Sequence, residues 1–318
     1  MKVTRLSVIV PTLDTKDLTV ACVESVVASR LPDGVGLEVV VVDDGSRDGT
    51  AEALGGRERV RVVRNQGPTG FAKAANRGAS DAGGDLLVFL NSDTIVEGSS
   101  LARVVEAFEV EASLGVAGAA LHDPDGSPQW SAGPTPGLAW LFGQATGIPA
   151  LLGRLPGWRS VRPLHGAEPR EVSWVSGAAM AVRKSLWTEA GPFDETYGFY
   201  VQDLAFCLRV REGGWRIRLL PGFRVLHYRG ATIASSGDAV AHGADLGLLW
   251  SDLVLWAERR GGAVFARRAR AALRIGSGLR LFARRLASPL VGPVRRDVWR
   301  RDTQALARAR AVIAPSRG

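Results

Sequence analysis

The residues best equipped for chemistry stand where apolar runs stop. Pro11-Thr12 follows the run at 6–10, Asp43-Asp44-Gly45-Ser46 the run at 37–42, and Asn91-Ser92-Asp93 the run at 86–90. A fourth polar stretch, 65–76, holds Asn65, Gly67, Gly70 and Lys73 after the short run at 60–63. Such carboxylates hold hard cations or accept ring N–H groups, a lysine neutralises phosphate, and glycines let backbone amides approach an anion closely. Each cluster alone is also a good turn or helix cap, Asp-Asp-Gly-Ser above all. Their common position and order favour the chemical reading. Asp203 opens a helical stretch at about 202–212 that Gly213-Gly214 ends, a place for a dipole-stabilised cap or a proton acceptor. His227 ends a short apolar run and is one of four histidines; it suits a metal ligand or an ordinary surface or core group.

Elements of a particular kind must position these groups. The apolar runs are short and rich in β-branched residues, the pattern of parallel strands buried on both faces. Helical patterns at 17–29, 48–54, 69–80 and 98–110 separate them, and a further strand is expected at 115–119. Strand and helix alternating from the first residues imply a doubly wound, mostly parallel α/β sheet, with ligands gathered where the strands end. The region 121–170 is rich in Gly, Pro and Trp without clear periodicity and reads as a long loop, either an acceptor lid or a solvated insertion. Structure resumes at 171–182, and two short strands are expected at 215–219 and 223–227. From 238 onward the pattern is helical, with Phe265, Ala269, Ala272, Gly276 and Leu279 on one stripe among arginines.

The clusters resemble those of family 2 glycosyltransferases. The resemblance runs from Leu6 to about Gly230 and rests on Ser7-Val8-Ile9-Val10-Pro11-Thr12, Val41-Val42-Asp43-Asp44-Gly45-Ser46, Gly70-Phe71-Ala72-Lys73, Phe89-Leu90-Asn91-Ser92-Asp93, Trp174-Val175-Ser176-Gly177, Gly191-Pro192-Phe193-Asp194 and Gln202-Asp203. It is nearest to the rhamnosyltransferase-like branch. It implies the type-A (GT-A) nucleotide-diphospho-sugar transferase fold, with a nucleotide-sugar-binding subdomain at 1–120, an acceptor-binding and catalytic subdomain at 121–237, and a helical, Arg-rich extension at 238–318.

The same resemblance implies the site. Asp93, at the last position of a D-x-D-like triplet, binds Mg²⁺ or Mn²⁺, and His227 completes the metal shell. Asp203 is the general base of an inverting transfer. Pro11, Thr12, Asp43, Asp44, Asn65, Gly70, Lys73, Asn91 and Ser92 face a dTDP- or UDP-sugar donor, with Lys73 on the diphosphate. Trp174, Gly177 and Gln202 border a glycan or polyprenyl-linked acceptor. The chain departs from the family pattern at Asn91, Gln202 and Ala205, where acids are usual. Those losses motivate a second reading, a catalytically weakened sugar-nucleotide binding or scaffolding protein.

Composition sets the remaining bounds. The 318 residues are 46% hydrophobic and 23% charged, which excludes global disorder. The two cysteines, Cys22 and Cys207, exclude a disulfide framework and a multi-cysteine zinc site, and point to a reduced, cytoplasmic setting. The apolar run near the N-terminus is too short for a secretory signal. The uncharged stretch 126–153 carries Pro128, Pro134, Pro136 and Pro149, so no transmembrane helix is expected. Net charge is +8, but residues 259–318 hold sixteen Arg against two Asp. This basic segment suits an anionic membrane surface on the inner face of the plasma membrane, or packing on the acidic body; nucleic acid is not expected.

Overall fold

The computed structural model describes residues 2–148, 169–228 and 245–314. Parts of the expected loop (149–168) and of the approach to the helical extension (229–244) lie outside the described residues. The chain divides into two compact units. Among described residues the first holds 2–135, 169–196 and 202–228; the second holds 136–148, 197–201 and 245–314.

The first unit is built on a mixed, largely parallel sheet. Its strands are β1 (Arg5–Thr12), β2 (Gly36–Asp43), β3 (Val60–Arg64), β4 (Leu86–Leu90), β5 (Thr94–Val96), β6 (Leu114–His122), β8 (Arg170–Glu171), β10 (Ala179–Arg183) and β11 (Arg216–His227). A small ribbon pairs β7 (Ala132–Gly133) with β9 (Trp174–Val175). The order in the main sheet is β3-β2-β1-β4-β10-β6-β11-β5, with β8 on β11. The chain winds outward from β1 to β3, then returns to β4 on the other side of β1. That reversal is the topological switch point at which an open α/β sheet forms its crevice. It gathers Pro11-Thr12 and Asn91-Ser92-Asp93.

Side-chain alternation divides the core between the two faces. Val8, Val10, Val88 and Leu90 pack on one face with Phe108, while Ile9, Leu87 and Phe89 pack on the other. The helices over these faces are α1 (Lys16–Val27), α2 (Thr50–Leu54), α3 (Phe71–Asp81), α4 (Ser100–Val110), α6 (Lys184–Ala190) and α7 (Gln202–Glu212), with α5 (Leu138–Thr146) in the second unit. Gly78 on α3 is required by contact: a Cβ there would stand 2.6 Å from Ile9 Cγ2 and 2.8 Å from Val42 Cγ2. An aromatic cluster anchors α7, with Phe206 5.0 Å from Trp187 and Trp187 4.7 Å from Phe89.

Three expectations need correction. The two strands at 215–219 and 223–227 are one strand, β11, because a register shift between Leu220 and Arg224 absorbs Pro221-Gly222-Phe223 as a bulge. The long loop contains α5, whose packing against the second unit's long helix is a non-local contact that leaves no periodic signature. In that unit, α8 (Leu246–Ala287) bends at Gly261-Gly262 and is followed by α9 (Pro293–Val312). Asp245 caps α8, accepting from Gly247 N and Leu248 N at 2.7 and 3.1 Å. The buried row of α8 is Ala266, Ala269, Leu273 and Gly276, and Leu279 belongs to a different, exposed row.

Candidate active site

The metal-ligand candidates meet through backbone pairing. Asn91 N donates to Ala178 O at 2.9 Å, which continues the antiparallel pairing of β4 with β10. His227 is the last residue of β11 and pairs with Thr94, and Tyr228 N donates to Asp93 O at 2.9 Å. These contacts set His227 Nε2 3.3 Å from Asp93 Oδ1 and 3.4 Å from Asn91 Nδ2. Asp93 is buried, and its Oδ1 makes no hydrogen bond.

A residue that sequence reading overlooked sets the chemistry of this pair. Gln129 is buried, and its Nε2 donates to Asp123 Oδ1 at 2.8 Å and to His227 O at 2.6 Å. Both partners only accept, so the amide orientation is assigned by its bonds, and Oε1 faces His227 Nδ1 at 2.9 Å. In the neutral imidazole Nδ1 then carries the proton, which leaves the Nε2 lone pair toward the Asn91 Nδ2 donor at 3.4 Å and beside Asp93 Oδ1 at 3.3 Å. Two acceptors at 3.3 Å are complementary to a cation. Asp93 and His227 thus fit a divalent ion that would need further ligands, since no group of three or more His, Cys, Asp or Glu suited to a metal occurs among the described residues. Gln129 lies inside the aperiodic 121–170 region, where spacing carries no signal. Replacing Gln129 with Leu should lower Mn²⁺ affinity about 10–100-fold, the usual cost of losing the group that orients a ligating histidine. Calorimetry with nucleotide diphosphate and Mn²⁺ reads this directly; unchanged affinity would discard the orienting role.

Asp203, at the start of α7, is partly covered. Its Oδ2 accepts from Gly177 N at 2.7 Å and its Oδ1 from Leu204 N at 2.7 Å. Burial pushes its carboxyl above the ordinary carboxylate value, and the backbone N–H bonds oppose that rise only in part. Gly177 precedes Ala178, whose carbonyl bonds Asn91. The Asp203 carboxylate and the Asn91-Ser92-Asp93 triplet are therefore joined through residues 177–178, at the end of the central strands β4 and β10. A Cβ on Gly177 would lie 3.4 Å from Asp203 Cβ. Val201, just before α7, has φ of +72°, a strained value for a β-branched residue of the kind that clusters at functional sites.

The donor-side candidates fall into two networks. Asp44 accepts from Asn65 Nδ2 (2.6 Å), Thr69 N (2.8 Å), Thr69 Oγ1 (2.7 Å) and Gly70 N (2.8 Å), which fills its four acceptor positions. Asp44 and Asn65 thereby shape the loop that enters α3. Asp43 Oδ1 accepts from Ser46 N at 2.8 Å, while its buried Oδ2 has no hydrogen bond and faces Arg64 Nε at 3.4 Å. Gly45, at φ +93°, passes so close to Gly67 that a Cβ would sit 2.7 Å from the Gly67 Cα. At the switch point, Thr12 Oγ1 lies 3.0 Å from Thr15 Oγ1, which in turn lies 2.9 Å from Ser92 Oγ, so both candidate hydroxyls belong to a buried cluster. Pro11 is buried beside them on β1, and Lys73 is exposed on the first turn of α3. On the acceptor side, Gln202 is buried at the first position of α7. Trp174 donates from Nε1 to Pro134 O at 3.0 Å and meets Trp130 edge to face at 5.5 Å, and Trp130 is exposed.

The fold is of the GT-A type, a likeness shared with solved structures. Solved structures of like fold include the mannosyltransferase PcManGT of Pyrobaculum calidifontis in complex with GDP-Man and Mn²⁺, with a TM-score of 0.60 at 18% identity over 98% of this chain and 86% of that one. GalNAc-T7 with UDP, GalNAc and Mn²⁺ gives 0.56 at 19% identity over 71% of this chain and 43% of that one. The chain belongs to glycosyltransferase family 2: residues 7–156 match "Glycosyl transferase family 2". It is 31% identical over 211 residues to the N-acetylglucosaminyl-diphospho-decaprenol L-rhamnosyltransferase of Mycobacterium tuberculosis, covering 61% of this chain and 67% of the relative. Rhamnosyltransferase WbbL of Escherichia coli is 37% identical over 57 residues, 18% of this chain and 22% of that protein.

Proposed function

We propose that this glycosyltransferase moves a sugar, with dTDP-L-rhamnose the first donor to try, onto a glycan or polyprenyl-diphosphate-linked acceptor in cell-wall or surface-polysaccharide assembly, with inversion at the anomeric carbon. The observation that carries the reading is the link from Asp203 through Gly177-Ala178 to the Asn91-Ser92-Asp93 triplet, beside the Asp93–His227 pair. A bound Mg²⁺ or Mn²⁺, held by Asp93 and His227, would neutralise charge on the departing diphosphate. Asp203 takes the proton of the acceptor hydroxyl; burial raises its basicity, and the Gly177 N–H holds Oδ2 in place. Asp43 suits a base ring N–H, having an acceptor without a hydrogen bond, whereas Asp44 acts through the 65–70 loop. Lys73 lies at the start of α3, where a diphosphate gains from both its charge and the helix N-terminus. Trp130 and Trp174 offer apolar faces to a sugar ring.

The test is a donor panel of dTDP-rhamnose, UDP-galactofuranose, UDP-GlcNAc and GDP-mannose, titrated by calorimetry with and without Mn²⁺. Transfer to polyprenyl-diphospho-N-acetylglucosamine follows. Metal-strengthened binding of one donor and its turnover are expected. Tight binding with no turnover on any acceptor would favour the scaffolding reading, which the amide at Asn91 supports by removing one anionic ligand.

A further inference from the structure

We propose that the exposed row Ile275, Leu279, Phe282 and Leu286 of α8, with its flanking arginines, is a docking face for an anionic lipid bilayer. At 100° per residue the spacing i, i+4, i+7, i+11 confines these side chains to a wedge of about 60° on the helix. Their exposures are 59, 51, 62 and 64%. The row continues at the hairpin turn with Leu290 and Val294, at 87 and 79%. It is not the seam of the helical hairpin. That seam brings Arg274, Ser277, Arg280 and Arg284 of α8 against Asp302 and Arg310 of α9, while the buried Gly276 faces α5.

Charge decides what suits the row. Arg267, Arg268 and Arg285 are exposed beside or within it, whereas Arg274 turns to α9, donating to Arg310 O at 3.3 Å. Asp297 and Asp302 are the segment's two acids, and both are engaged: Asp302 accepts from Arg280 at 3.1 Å and Arg284 at 2.6 Å, and Asp297 from Arg300 at 2.6 Å. Asp302 is thereby tied to arginines on the side of α8 opposite the row. An apolar ridge bordered by guanidinium groups matches acyl chains beneath anionic headgroups. A second copy of the chain would bring two strongly basic segments together, and a nucleic acid would offer the apolar ridge nothing to bury against. No described helix is long and apolar enough to cross a membrane.

Both native cysteines are buried, so a Phe282→Cys chain can be labelled there with an environment-sensitive fluorophore. The full chain is mixed with vesicles of phosphatidylcholine alone or with phosphatidylglycerol. Flotation and a blue shift of the label are expected only with phosphatidylglycerol, and both should fall as salt rises. The double variant Leu279→Gln/Phe282→Gln, at surface positions, should lose at least about tenfold in partitioning with an unchanged melting temperature. Equal flotation of this variant would overturn the proposal, as would equal binding to neutral vesicles. A concentration-dependent dimer abolished by the double variant, without flotation of the wild-type chain, would assign the face to self-association instead. No sugar donor enters the experiment, so its failure leaves the proposed reaction standing.

Discussion

Asp203→Asn should lower transfer by about 10³-fold, within the range a positioned base contributes, while leaving nucleotide-sugar and Mn²⁺ affinity unchanged. Magnitude separates this from the structural alternative. Asn replaces Asp well as a helix cap, so loss of a cap alone would alter stability slightly and rate hardly at all. The pH dependence gives a second signature. Burial raises the Asp203 carboxyl above its ordinary value of 3.8. The acid limb of kcat/KM should therefore lie above the usual carboxylate range and vanish in the variant.

Stability should not follow the rate. A carboxyl whose folded-state pKa is raised contributes stability at pH below its unfolded value, and that contribution is lost as pH rises through the folded value. At neutral pH the ionised, buried Asp203 is thus a cost. Asn removes the charge and keeps an oxygen for the Gly177 N–H while giving up the Leu204 N–H bond, so the variant should melt close to the parent. A dead enzyme that is equally or more stable marks a functional group; a dead enzyme that melts well below the parent would make Asp203 structural and sink the base assignment.

Asp93→Asn should abolish the metal response. A cation's stabilisation of a leaving diphosphate is typically several kcal/mol, and about 1.4 kcal/mol is a factor of ten, so kcat/KM should fall by about 10³. Isothermal titration with nucleotide diphosphate should show Mn²⁺ affinity lost in parallel. His227→Ala is the graded control: it removes a nitrogen ligand and keeps the anionic one. Its loss should be smaller, and Mn²⁺ should lose more than Mg²⁺, which takes oxygen ligands by preference. Asp93→Asn with undiminished Mn²⁺ binding would place the cation elsewhere. Full activity in chelator for the parent chain would remove the cation from the reaction.

The strand-end clusters were legible from sequence because their cause is local. A β-branched apolar run followed by Asp, Asn or Gly states both a buried strand and its end, and alternation with helical periods states the winding of the sheet. Other features had no local signature. Gln129 sits among glycines and prolines, and its role comes from His227, ninety-eight residues away. Asp44 and Asp43 are adjacent and alike in sequence, yet Asn65, Thr69 and Gly70 consume every acceptor of one while the other keeps an oxygen without a hydrogen bond. Pro221-Gly222 reads as a break between strands until β6 is present to carry the ladder past the bulge.

Sequence by itself therefore determined the fold class and the family resemblance, which follow from residue type, order and short-range period, and through that resemblance singled out Asp93, Asp203 and His227 as candidates. Tertiary structure alone decided that Gly177 holds the Asp203 carboxylate, that Gln129 orients the histidine, and which row of α8 faces outward. These depend on strand order and on hairpin packing, where partners far apart in the chain become neighbours only after the core has formed.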